Sequence, residues 1–251
     1  MENLNGKVAV VTGGARDIGK AISMSLAKAG AKVVVNYFNS ELYGKETVLE
    51  IEKTGGTAVA IYADVTKQVD VDAMVKTTLD HFGPKIDILV NVAGGLFARK
   101  SIEEMDEDFY NLVMDVNLKS VFLVTKTIKP HMEKGGAIIN FASQAGRDGG
   151  GPGAAIYAAS KGAVITYTRA LAKEFGPQGV RVNALCPGMI ATKFHDDFTK
   201  DEVREKVAGS TPLRREGEAD EVADLVVYLA SDQSSFITGN NIDINGGLVF
   251  S

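Results

Sequence analysis

Of the seven tyrosines in this chain of 251 residues, only Tyr157 has a lysine four positions on, Lys161, in the stretch YAASK. On a helix that offset stacks both side chains on one face. A phenol of pKa near 10 is only about one part in a thousand ionised at neutral pH, so it is a poor base unaided. A fixed ammonium nearby favours the phenolate, and in the opposite direction the same phenol can hand its proton to an oxygen that is gaining charge. The bland alternative is an exposed helical pair, and the offset alone does not exclude it. Order along the chain strengthens the chemical reading. Upstream, NFASQAG puts Ser143 at the carboxyl end of an apolar run, where its hydroxyl can hydrogen-bond a substrate oxygen together with Tyr157. Earlier still, DVNLKSVF sets Asn117 in an apolar helical stretch, where asparagine is unfavourable by propensity. It reads either as a satisfied core amide or as the mark of a kinked helix whose freed carbonyl holds a water leading to Lys161.

A second reactant has a place near the start of the chain. The apolar run Val8–Val11 leads into TGGARDIGK, with glycines at Gly13, Gly14 and Gly19 and a helical pattern from Ile18. Strand, glycine turn and helix in this order form the context in which backbone N–H groups and a helix dipole hold a dinucleotide pyrophosphate. A tight turn with no ligand is the alternative. Asp17 stands where such a loop has its middle glycine. As an N-cap it would stabilise the helix by ~1 kcal/mol. Aimed at a phosphate ~5 Å away, at an effective dielectric of ~20, it would cost about 3 kcal/mol, or roughly two decades of affinity. The carboxylate is therefore expected to turn away, as a cap or toward Arg16 or Lys20. The second apolar run ends in VVVNYFNS. Asn36 there carries no charge to reject a ribose 2′-phosphate, and Arg16 could pair with one bidentately. NADP is thus expected over NAD, which stays open; the alternative for Arg16 is a solvated residue or a partner for Asp17.

These groups need a frame, and the hydropathy pattern supplies one. Lys7–Thr12, Lys32–Asn36, Thr57–Ala63, Ile86–Asn91, Ala137–Ser143 and Arg181–Pro187 read as buried strands, with Asn241–Ile244 a seventh. Helical patterns alternate with them: Ile18–Ala29, Glu41–Thr54, Val69–Phe82, Asp106–Met132, Ala155–Phe175 and Ala219–Ala230, several closed by glycine or Gly-Pro. Continuous apolar strands separated by helices predict an α/β fold with a doubly wound parallel sheet covered on both faces. The whole of 1–251 reads as one domain. Gly188–Pro212 is polar, irregular and long for a connection, which predicts a lid over a site. His195 falls there and is expected to be a solvated loop residue, while TKDEVREKV reads as the wet face of a lid helix. GAVITYT, Gly162–Thr168, is uncharged over two helical turns and must be covered on both sides, which predicts a dimer through this helix.

Totals narrow the classes. Net charge is −5 without a long basic run, which argues against a nucleic-acid partner. No apolar run approaches the ~20 residues of a membrane helix, and the opening stretch has no secretory pattern. The one cysteine, Cys186, reads as an inert core thiol, and three scattered histidines give no metal spacing. A reducing cytoplasm is expected.

Taken together, TGGARDIG, ADV at Asp64, NVAG at Asn91–Gly94, Asn117, Ser143, Tyr157 with Lys161, and PGMIAT at Pro187–Thr192 resemble the short-chain dehydrogenase/reductase family over nearly the whole chain. The resemblance implies a seven-stranded Rossmann sheet in a homotetramer. It implies that Gly13, Arg16, Ile18, Gly19 and Asn36 bind the cofactor, with Asp64 and Val65 at the adenine. Asn91, Ala93 and Gly94 would line the cofactor. Pro187, Gly188, Ile190 and Thr192 would bind it further along, the last two at its carboxamide and phosphates. Asn117, Ser143, Tyr157 and Lys161 would form the catalytic set, with Tyr157 as acid/base and Lys161 also binding the nicotinamide ribose. VVVNYFNS, TPLRREGEADEVA, LASDQSSFITG and the final NGGL are similar to the 3-oxoacyl-[acyl carrier protein] reductases, which implies a 3-oxoacyl thioester substrate, fatty-acid biosynthesis and an acyl carrier protein partner. The chain departs from that pattern at Asp17, at Val92 in place of a second asparagine, and in GGLFARKS and RDGGGPGAA. Basic residues to face an acidic carrier are few: MEKGGA has only Lys134 and GPQGV has none. Two other readings stand beside it, a sugar, polyol or cyclic-ketone dehydrogenase and a nucleotide-sensing regulator without turnover.

Overall fold

The seven apolar runs become seven strands in the computed structural model, which describes residues 3–193 and 201–250. They are β1 (Val8–Thr12), β2 (Lys32–Tyr37), β3 (Thr57–Tyr62), β4 (Ile88–Asn91), β5 (Ala137–Phe141), β6 (Arg181–Pro187) and β7 (Asn241–Ile244). Their order in space is β3-β2-β1-β4-β5-β6-β7, and every pairing is parallel. Parallel neighbours need crossovers, and the helices supply them: α1 (Asp17–Lys28), α2 (Glu41–Lys53), α3 (Gln68–Phe82), α4 (Glu107–Met114), α5 (Ser120–Ile128), the short α6 (Ala145–Asp148), α7 (Ala155–Phe175), α8 (Asp201–Ser210) and α9 (Ala219–Ala230).

Because side chains alternate along a strand, each run feeds two cores. Ala9, Val11, Val35, Val90 and Ile139 face α1 and α9, meeting Ile22, Leu26, Val222 and Val226. Val10, Val34, Leu89, Ile138 and Val182 face α3, α5 and α7, meeting Met74, Val124 and Phe175. Burying any one of the larger of these side chains contributes roughly 1.5–3 kcal/mol. With both faces covered, the polar business of the molecule is pushed to the strand ends. The chain leaves β1 toward β2 and β3 on one side and resumes with β4 on the other, so the carboxyl ends of β1 and β4 part and leave a crevice.

Several element ends shift by one or two residues from the sequence pattern, and three differences bear on the site. β5 stops at Phe141, so Ser143 lies just past the strand, in the turn into α6. The expected continuous helix Asp106–Met132 is interrupted by a π turn at Asp115–Lys119 and ends in a 3-10 turn at Lys129–His131, where Pro130 cannot donate an N–H. α6 was hidden by its brevity and its glycine. Of the expected lid, α8 is present and has no buried residue, as its charge pattern requires. His195 and the rest of 194–200 lie outside the described residues. Among the described residues no helix is long and apolar enough to cross a membrane, and no cluster of three His, Cys, Asp or Glu could hold a metal.

Candidate active site

A cavity of about 610 Å³ opens at the carboxyl ends of the central strands, running from the end of β2 past the glycine turn to α7. At its α7 end Ser143, Tyr157 and Lys161 line one wall together. The i, i+4 spacing places Lys161 Nζ 5.8 Å from the centre of the Tyr157 ring. Lys161 is 4% exposed, and its ammonium donates to the carbonyl of Phe141, the last residue of β5, at 2.8 Å. The Ser143 hydroxyl oxygen accepts the Ala145 N–H at 3.1 Å, which leaves its own proton free to point into the crevice.

Asn117 stands behind this wall, fully buried, at the centre of the π turn. Its amide donates to the carbonyls of Val113 at 2.9 Å and Gly95 at 2.8 Å, and its oxygen accepts the Gly95 N–H at 3.0 Å. The buried amide is therefore satisfied, and it clamps the loop that follows β4. A Cβ at Gly94 would stand 2.7 Å from Asn117 Oδ1 and 3.0 Å from Lys161 Nζ, so only glycine lets those two groups close on the loop. A π turn interrupts the helix at Asn117, whose side chain is spent on main chain, as a satisfied core amide.

The electrostatics correct one expectation. Burial, only partly offset by the Ser143 hydroxyl, raises the Tyr157 pKa instead of the ammonium lowering it. Lys161 itself is held down by burial to about 8. Desolvation disfavours the charged form of each group, and at Tyr157 it outweighs the Ser143 hydrogen bond. The phenol therefore rests protonated at neutral pH. Cys186 is fully buried and its thiol is pushed up to about 11, which suits an inert core residue.

At the other end, Gly13, Ile18 and Gly19 bring backbone close to the crevice. Gly13 adopts φ +64°, and a Cβ on Gly19 would collide with the Gly13 carbonyl. α1 begins with no side-chain cap: Arg16 occupies the N-cap and Asp17 the first helical position, so the expected capping role of Asp17 is not realised. Asp17 sits at φ +50°, in the region that favours glycine, with Oδ2 3.3 Å from Arg16 Nε and Oδ1 accepting the Lys193 N–H at 3.2 Å. Lys20 is turned to Glu50 instead, at 2.8 Å. An uncapped helix N-terminus facing a crevice with glycine walls fits a dinucleotide's pyrophosphate. Ala93 and Gly94 line the crevice after β4, their loop anchored where Thr12 Oγ1 accepts the N–H groups of Val92 and Ala93 at 3.1 and 3.2 Å. Pro187, Gly188, Ile190 and Thr192 line the wall beyond β6.

Of the expected cofactor residues, Asn36 lines the crevice, and Asp64, Val65 and Asn91 lie outside its lining. Asn36 borders the crevice, but its oxygen accepts the Gly13 N–H at 3.1 Å and its amide donates to Ile61 and Ala63 carbonyls at 3.4 and 3.2 Å. It braces the glycine turn across the sheet. Asp64 accepts from the Thr66 N–H and hydroxyl at 2.9 and 2.7 Å and helps start α3; Val65 is buried beside it, and neither lines the crevice. Asn91 lies within the sheet, donating to Asn140 Oδ1 at 2.9 Å and Thr125 Oγ1 at 3.3 Å, with its own oxygen unpartnered. Conversely, Phe38, Ser40 and Tyr43 line the adenosine end, and Leu96, Arg99, Gln144 and Met189 the end near Tyr157. Gln144, next to Ser143, was within reach of the sequence. Tyr43 comes from the first turn of α2, and the others arrive by loop folding. Residues after β4 and before α7 pair with each other: the Lys100 N–H donates to the Gly153 carbonyl at 3.2 Å and Arg99 Nη1 to the Pro152 carbonyl at 3.0 Å.

Residues 13–249 match the family described as Enoyl-(Acyl carrier protein) reductase. The chain is 43% identical to a 3-oxoacyl-[acyl-carrier-protein] reductase of Synechocystis, over 99% of both chains. A dehydrogenase/reductase of Sinorhizobium meliloti superposes with a TM-score of 0.94 at 35% identity, covering 99% of this chain and 97% of its own. A blue fluorescent protein from a metagenomic library, solved in complex with NADPH, superposes with a TM-score of 0.92 at 35% identity, over 99% of this chain and all (100%) of its own. With the Ser143, Tyr157 and Lys161 wall facing an uncapped glycine turn across one crevice, the chain belongs to the short-chain dehydrogenase/reductase family of nicotinamide-dependent oxidoreductases.

Proposed function

We propose that the protein reduces a 3-oxoacyl thioester to the 3-hydroxyacyl thioester with NADPH, the acyl group being delivered on an acyl carrier protein. The observation that carries the chemistry is the placement of Ser143, Tyr157 and Lys161 on one wall of the cavity; the substrate class is supported by the relatives' names. The bound dinucleotide supplies the hydride. Arg16 and the α1 N-terminus hold its phosphates, and the wall from Pro187 to Thr192 holds its nicotinamide half. Ser143 donates a hydrogen bond to the substrate oxygen, which its own bond from Ala145 leaves it free to do. Tyr157, protonated at neutral pH, gives that oxygen a proton, a transfer eased by the Ser143 hydroxyl, which favours the ionised phenol. Lys161 uses one N–H on Phe141 and keeps the others for the phenol side and the ribose. Asn117 holds the Gly95 loop in place and, through the widened main chain of its turn, leaves room for a relay water toward Lys161.

A second reading, a polyol or cyclic-ketone dehydrogenase, is favoured by the polar wall of Arg99, Gln144 and Asp148 near the reacting end. A regulator without turnover has no use for the acid/base pair of Tyr157 and Lys161. The test is oxidation of NADPH and NADH with acetoacetyl thioesters, on coenzyme A and on carrier protein, beside a panel of sugars and cyclic ketones. Preferential turnover of the thioesters with NADPH supports the first reading; turnover confined to the cyclic substrates replaces it. The partly exposed side of α7 at Gly162, Ala163 and Tyr167 is proposed as a subunit contact within a homotetramer; a monomer by light scattering at micromolar concentration counts against it. A cytoplasmic location belongs to the same reading, supported by a lone buried thiol.

A further inference from the structure

Asp17 has no part in the chemistry above, and its backbone is held at φ +50°, where glycine is at ease and aspartate is tolerated. Its carboxylate bridges two regions 176 residues apart. Oδ1 accepts the Lys193 N–H at 3.2 Å while Oδ2 lies 3.3 Å from Arg16 Nε. Lys193 follows Ile190 and Thr192 in the stretch after β6 that lines the crevice. That stretch is anchored at its base, where the Ala191 N–H donates to the Gly217 carbonyl at 2.8 Å and the Gly217 N–H to the Met189 carbonyl at 3.0 Å. Asp17 ties its far end. A glycine at 17 would relax the backbone and remove a negative charge from an anion-binding turn, and it would sever this tie.

Resting on the NADPH-dependent reading of the crevice, we propose that Asp17 is a positioning residue whose carboxylate holds the Ile190–Lys193 wall against the glycine turn and so sets the opening that admits the dinucleotide. Asp17→Asn and Asp17→Gly test it in the full-length protein. Both remove the same charge, but asparagine keeps an acceptor oxygen and tolerates positive φ, while glycine keeps neither side-chain atom. Without cofactor or substrate, hydrogen exchange at the Lys193 amide should be about fivefold faster in Asp17→Gly, the factor for one bond of ~1 kcal/mol, and within about twofold of wild type in Asp17→Asn. NADPH titration by fluorescence should show Asp17→Asn binding several-fold more tightly than Asp17→Gly. Wild-type exchange in Asp17→Gly, equally fast exchange in both variants, or equal NADPH affinities would overturn the proposal. The exchange readout needs no turnover: if no carbonyl is reduced yet Lys193 responds as stated, the enzymatic reading fails and the tie stands.

Discussion

The two ends of the crevice are built on different rules. At the α7 end the work is assigned to side-chain atoms: Lys161 is locked onto Phe141, Asn117 onto Gly95 and Val113, and Tyr157 sits one helical turn from its lysine. At the α1 end the glycine turn brings backbone to the crevice, and Asn36 and Thr12 are committed to holding backbone in place. Asn36 braces Gly13, and Thr12 braces Val92 and Ala93. Proton transfer needs one atom at one place, so substitution there is unforgiving. Anion binding by N–H groups needs a shape, and several side chains share in making it.

That contrast predicts a steep order of effects. Tyr157→Phe removes one proton donor and leaves the wall intact. Turnover of the preferred carbonyl should fall by about a thousandfold, with NADPH affinity unchanged within about twofold; a variant retaining a tenth of wild-type turnover would erase the distinction between the ends. The next effect concerns the burial of Lys161. Its native pKa is about 8, against about 10.4 in an unfolded chain. Below pH 8 both states carry the proton. Above it the unfolded state holds a proton that the native state has released, so this residue's contribution to stability rises with pH. Urea midpoints of the wild type should therefore climb relative to Lys161→Met between about pH 8 and 9.5, by the equivalent of about 1–2 kcal/mol. Parallel profiles would place the ammonium in a wetter setting than the α7 end is said to provide. The smallest change belongs to the adenosine end. Arg16→Ala should weaken NADPH about tenfold and leave NADH within about twofold, as expected for a half-exposed guanidinium on a 2′-phosphate. Equal losses for both cofactors would move the discrimination to Ser40 or Tyr43.

The same division explains what could be read before the coordinates. β6, β7, α7 and α9 have the bounds their apolar patterns predict. Ser143, Tyr157 and Lys161 converge because a helical offset and a strand end are local quantities that survive folding. Asn36 reaches the crevice as its spacing implies, while Asp64, Val65 and Asn91 lie outside its lining, because spacing does not say whether a side chain faces the crevice or the chain behind it. Phe38, Arg99 and Met189 reach the crevice through loop paths that carry no periodicity, and Tyr43 reaches it from the first turn of α2. The direction of the Tyr157 shift was missed for a further reason: an ammonium can be counted along a sequence, whereas desolvation depends on everything packed around the phenol. The π turn was foreshadowed by one misplaced asparagine, and its extent by nothing.

The pairing of Arg99 and Lys100 with Pro152 and Gly153 bears on how the enzyme could be re-engineered. Both segments depart from the reductase pattern, and they meet: a Cβ on Gly153 would come within 2.9 Å of Arg99 Cβ. They amount to a single interchangeable cassette split between two places in the gene. A graft that imports only one half from a relative would leave donors and carbonyls facing strangers, so substrate range should be swapped in this scaffold by moving both halves at once.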